Sequence, residues 1–135
     1  MFNGSKFDKL FELMTANNMD AVMIAPSSDL EYLVDYSAHA DERLNCLVLL
    51  KNRDYFHISP MINYEEAKKK YSENSKFYIW SDGEGFLETV VKSFKEYGLE
   101  NKTIGVNFTI RAIDMLDIGD SIDLKFQNAH SMLED

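Results

Sequence analysis

With 135 residues, 45% of them apolar and 13% aromatic, the chain is long and apolar enough to form one folded domain with a sizeable core, and too apolar to be a disordered segment. Its formal net charge of −9 speaks against nucleic acid, whose phosphates are met by clustered Lys and Arg, and against an anionic membrane surface. No apolar run approaches the roughly 20 residues that span a bilayer, the amphipathic start MFNGSKFDKLFELM is no secretory signal, and the single cysteine excludes an internal disulfide and fits a reducing cytoplasm.

Ser5 followed by Asp8 has the spacing of a capping box, and Phe7, Leu10, Phe11 and Met14 then recur at helical spacing. Asn17-Asn18 ends that helix, because Asn tolerates the left-handed backbone of a C-terminal cap. Asp20 to Ala25 is a short apolar run of the kind found in strands buried on both faces, and Pro26 stops it. Ser28 and Glu31 form a second capping box, opening a helix to about Tyr36. Ser37 to Glu42 is a polar loop. Arg43 to Lys51 (RLNCLVLLK) is the strongest strand, and Asn52-Arg53-Asp54 turns it into a partner strand from Tyr55 to Ile58, ended by Pro60.

A helix over Ile62 to Tyr71 carries Glu65–Lys69 and Glu66–Lys70 at the favourable i, i+4 spacing. Lys76 to Trp80 is a strand. Phe86, Leu87, Val90, Val91, Phe94 and Tyr97 mark the most amphipathic helix, closed by Gly98. Thr103 to Val106 is a short strand, Thr109 is placed to cap a weaker helix to about Asp117, and Ile122 to Phe126 alternates as a last strand. His130 to Asp135 reads as the start of a further element. Helices and strands alternate around one hairpin, which implies a mixed, mostly parallel sheet with helices packed on its faces.

The residues that carry chemistry are few. His39, His57 and His130 stand in no metal-ligand spacing, and His57 reads as a packed strand residue. Cys46 lies inside LNCLVLL, with no cation, histidine or helix N-terminus to activate it, and reads as a small buried hydrophobe. Gly83-Glu84-Gly85 falls between a strand and a helix, but Glu88 replaces the third glycine of a dinucleotide loop, and Asp82 and Glu84 repel an anion there. Lys68-Lys69-Lys70 reads as a solvated last helical turn. The loop bearing Asp35, His39 and Arg43 is either a solvated connection or a binding loop. Arg43 is able to clamp a carboxylate through two hydrogen bonds, and His39 to donate or accept one near neutral pH. As a binding loop these groups suit a small anionic or peptide-like ligand, and they do not activate water on their own.

Taken together, the segments resemble the N-terminal domain of the creatinase, aminopeptidase P and prolidase group of metallopeptidases. The resemblance rests on Met19-Asp20-Ala21-Val22-Met23-Ile24 after the first helix, on Asp29 to Tyr36, and on Glu42-Arg43-Leu44 before LVLL. It continues through Trp80-Ser81-Asp82-Gly83-Glu84, Lys102 to Val106 and Asn128-Ala129, and so covers nearly the whole chain. Val34 and Asp35 stand where the family usually has Thr and Gly, and Asn128-Ala129-His130 keeps part of the usual ending.

The resemblance implies a three-layer α/β fold with a ribonuclease H-like motif over residues 1–135. It also implies that this chain is the non-catalytic N-terminal domain of an Xaa-Pro dipeptidase-like enzyme. The family's dinuclear site, holding a divalent metal (Mn, Co or Zn) on two Asp, one His and two Glu, lies in a C-terminal catalytic domain absent from this chain. The implied partners are that domain and a second copy in a homodimer, whose active site the loop with Asp35, His39 and Arg43 reaches. No catalytic or metal-binding residue is expected here. Two other readings stay open: a stand-alone α/β module binding a nucleotide or flavin near Gly83–Gly85, and the N-terminal domain of a creatinase-like amidinohydrolase.

Overall fold

The computed structural model describes residues 4–27, 43–70 and 75–129. The expected helix from Ser28, the loop to Glu42 with Asp35 and His39, and the segment from His130 lie outside the described residues.

Helix α1 (Gly4–Ala16) leads into β1 (Ala21–Ile24), and the hairpin of β2 (Cys46–Leu50) and β3 (Tyr55–Pro60) follows. Helix α2 (Met61–Lys70), β4 (Phe77–Trp80), α3 (Leu87–Glu96), β5 (Thr103–Val106), α4 (Ala112–Ser121) and β6 (Lys125–Asn128) complete the described chain. The six strands form one sheet in the order β4-β3-β2-β1-β5-β6. β2 runs antiparallel to both of its neighbours, and every other adjacent pair is parallel. The mixed, mostly parallel sheet expected from the sequence is therefore present.

Period-two alternation sorts the strand side chains between two cores. Val22, Ile24, Leu47 and Leu49 face α1 and α2, where they meet Phe7, Leu10, Phe11, Met14 and Ala67. Ala21, Met23, Cys46, Val48, Phe56 and Ile58 face the other way, against Val90 and Phe94 of α3 and Ile118 of α4. Both faces of β1 and β2 are thus covered, which is why these strands read as unbroken apolar runs. Gly105 in β5 serves this packing: an added Cβ there would sit 2.6 Å from Met19 Sδ and 3.0 Å from the Ala129 Cβ.

Helix ends follow the expected chemistry in two places. Asn18 adopts φ 58° after α1 and Gly98 φ 69° after α3, left-handed conformations that suit these residue types. Other expectations fail. Thr109 does not cap α4, since its hydroxyl donates to Asn107 Oδ1 at 3.3 Å. Ile110 N–H closes a turn on Asn107 O, so the helix begins only at Ala112. The last strand starts at Lys125 rather than Ile122, because Ile122 ends α4 by donating its N–H to Ile118 O and is buried. Its apolar side chain belongs to the helix end, and of the alternating residues only Phe126 lies in the strand. The hairpin strand β2 is also shorter than expected at its start, and Pro60 is the last residue of β3, with α2 beginning directly after it.

Candidate functional site

Because β1, β3, β4, β5 and β6 run parallel and β2 opposes them, five carboxyl ends and one amino end share a single edge of the sheet. Beyond β1 the chain turns to one side to reach β2, and beyond β5 it turns to the other to reach β6. The edge between β1 and β5 is therefore a topological switch point, the usual place for a ligand crevice in an α/β sheet.

Asn107 ties the two sides together. Its backbone N–H donates to Met23 O at 3.2 Å. Its side chain accepts from Ala25 N at 3.1 Å and donates to Ala25 O at 3.3 Å and to Ser27 Oγ at 3.1 Å. A buried amide thus continues the β1–β5 ladder past its last backbone pair, and fixes where the chain leaves β1 toward residues 28–42.

Arg43 stands where the chain returns, ahead of β2. Trp80 Nε1 donates to Leu44 O at 2.9 Å and anchors the adjoining backbone. Arg43 Nε donates to Asp82 Oδ1 at 3.0 Å, and Nη2 donates to Asp82 Oδ2 at 3.0 Å. This two-point clamp is the geometry in which a guanidinium matches a carboxylate best. Hydrogen bonding from Arg43 holds the exposed Asp82 carboxyl below its usual range, with the guanidinium charge acting in the same direction. Of the three site residues expected from the sequence, Arg43 alone falls among the described residues, so how it stands to Asp35 and His39 is outside them. Sequence reasoning missed the role of Asp82, which it read only as an acid ahead of α3. No periodicity links residues 39 positions apart.

Beside Arg43, a crevice lined by Pro26, Asn45, Thr109, Arg111 and Asp114 encloses about 20 Å³, room for a single water molecule. Asp114 is 6% exposed. Burial raises its pKa and Arg111 opposes that rise.

Among the described residues, Cys46 and His57 are held inert. Cys46 is buried, and loss of solvation pushes its thiol far above the ordinary range. His57 packs in β3 against the Phe77 ring at 4.4 Å, and burial lowers its pKa to about 3, so it is neutral at pH 7. The Gly83–Gly85 turn uses φ 79° at Gly85, and Asp82 and Glu84 stand ahead of α3, where they oppose an anion. Among the described residues no group of His, Cys, Asp and Glu fits a metal ion, and no helix is long and apolar enough to cross a membrane. A dinuclear metal centre finds no matching donor set in these residues.

A family model described as the creatinase/prolidase N-terminal domain matches residues 6–131. The chain belongs to that family. Among solved structures, it is similar to a dipeptidase from Pyrococcus horikoshii OT3, with 24% identity and a TM-score of 0.81. That match takes in 96% of this chain and 35% of the other, so the chain spans about a third of that relative. It is also similar to the N-terminal domain of an Xaa-Pro dipeptidase from Lactobacillus brevis, with 14% identity, a TM-score of 0.83, and coverage of 96% and 98% of the two chains. A proline dipeptidase structure from Streptococcus agalactiae 2603V matches at 14% identity and a TM-score of 0.80, covering 98% of each chain. At these identities the likeness is one of fold. No curated protein matches the chain by sequence.

Proposed function

We propose that this chain is the non-catalytic N-terminal domain of an Xaa-Pro dipeptidase-like metallopeptidase of the cytoplasm. In the whole protein the domain helps form a homodimer and shapes substrate access at the partner's active site. The loop with Asp35, His39 and Arg43 reaches that site, and the divalent metals (Mn, Co or Zn) belong to the C-terminal catalytic domain. The observation that carries this reading is the match to the creatinase/prolidase N-terminal domain over residues 6–131, on a fold shared with N-terminal domains of Xaa-Pro dipeptidases. In this reading Arg43 takes a peptide's carboxylate by exchanging it for that of Asp82, which now occupies the guanidinium.

The test is kinetic. The protein encoded by the complete reading frame, supplied with Mn²⁺ or Co²⁺, is expected to hydrolyse Xaa-Pro dipeptides. Arg43→Ala is expected to raise KM roughly tenfold, the size of a lost hydrogen bond to a charged group, with a smaller effect on kcat. The 135-residue chain with the same metals is expected to show no turnover. Turnover by the chain alone, abolished by a chelator, would overturn the reading.

A further inference from the structure

The two halves of the Arg43–Asp82 pair are held very differently. Arg43 is the fixed half. Its side chain is 25% exposed, and the backbone beside it is anchored where Trp80 Nε1 donates to Leu44 O at 2.9 Å. Asp82 is the loose half. Its side chain is 65% exposed, and it sits in a turn closed by other residues, since Glu84 N–H and Gly85 N–H donate to Ser81 O at 3.1 and 2.8 Å. At Gly83, the next residue, an added Cβ would meet nothing within 4 Å. Rotating the Asp82 side chain away therefore breaks its bonds to Arg43 and leaves the turn closed.

What Asp82 supplies is a carboxylate in two-point contact. Arg43 Nε donates to Oδ1 at 3.0 Å and to Oδ2 at 3.3 Å, and Nη2 donates to Oδ2 at 3.0 Å. A ligand with a free carboxylate is able to repeat these contacts, whereas an amide offers one acceptor oxygen and no charge. Two of the three arginines in the sequence, Arg43 and Arg111, line one crevice at this edge of the sheet together with Asp114. Cationic groups are thus gathered here in a chain whose net charge is −9. An exposed ion pair is weak enough to be exchanged for another.

We propose that Asp82 is an internal competitor for the carboxylate site at Arg43, and so a specificity-determining residue of that site. It admits ligands with a free carboxylate, which replace its two-point contact, and turns away ligands whose terminus is an amide. This rests on the reading of Arg43 given above and adds what sets the strength and selectivity of its binding.

Acetate is the probe, with acetamide as its neutral counterpart. The Arg43 Nε–Hε NMR resonance of the 135-residue chain, identified by its loss in Arg43→Ala, is followed at pH 7 and low salt, where screening is least. Acetate is expected to move it, and acetamide is not. Asp82→Asn and Asp82→Ala are each expected to lower the acetate dissociation constant roughly fivefold, the upper size of an exposed ion pair. An unchanged constant in both variants overturns the proposal. A raised one does so too, because Asp82 would then support the guanidinium rather than compete for it. A resonance that acetate moves in none of the three proteins also overturns it. Xaa-Pro hydrolysis by the protein of the complete reading frame is measured separately. Hydrolysis without the Asp82 effect removes only the competitor, and the Asp82 effect without hydrolysis removes only the peptidase reading.

Discussion

Helices α3 and α4 are each ten residues long, cover the same face of the sheet and touch one another, yet they meet water in opposite ways. α3 buries Val90, Ser93 and Phe94 and exposes Glu88, Lys92, Lys95 and Glu96, the amphipathic division of a helix finished against solvent. α4 buries a carboxylate at Asp114 and exposes Ile113 and Leu116. A helix polarised in that way keeps apolar side chains outside this domain's own core. The comparison separates residues that make the domain fold from apolar residues that its core does not use.

The sharpest way to break this comparison is at the inner side of α3. Phe94 is fully buried and packs edge-on against Phe56, with ring centroids 6.3 Å apart. Phe94→Ala is expected to cost about 3–5 kcal/mol, from lost burial plus the cavity left behind, read as a fall in the urea midpoint of unfolding. A loss below about 1 kcal/mol would mean that α3 is not the packed helix described.

A smaller effect of opposite sign is expected on the inner side of α4. Burial raises the folded-state pKa of Asp114 above its ordinary 3.8, so the folded form holds a proton more tightly than the unfolded chain does. Stability at this residue is accordingly lost as pH rises past 3.8. Asp114→Asn is expected to stabilise the chain at pH 7, less what Arg111 contributes to the carboxylate, and the gain is expected to vanish below the ordinary pKa. Urea titrations at the two pH values check it, and a destabilised variant at pH 7 would show that the carboxylate is favourably paired.

Much of the fold was legible because single residues carry strong local signals. The unbroken apolar runs in β1 and β2 identify strands covered on both faces, Asn18 and Gly98 mark helix ends, and Val90 with Phe94 fixes the inner side of α3. The start of α4 was not legible, because Thr109 has two uses for its hydroxyl and the structure spends it on Asn107. The start of β6 was misread because Ile122 is buried for the sake of α4. At the site, the capacity of Arg43 for a two-point contact follows from its chemistry, and in this domain Asp82 takes it. Its partner Asp82, the anchoring of Leu44 by Trp80 and the bridging amide of Asn107 all depend on pairings across the sheet, which no local pattern reveals. The outward Ile113 and Leu116 were likewise hidden, since helical spacing alone does not say which apolar side meets the core.

The central contrast, that the outer side of α4 is apolar without serving this domain's own core, is tested most directly by one measurement. It is the unfolding free energy of Leu116→Glu in the 135-residue chain. The expected change is within about 0.5 kcal/mol, as for a surface substitution away from special features. A loss of about 2 kcal/mol or more, the size of a core deletion, would contradict it.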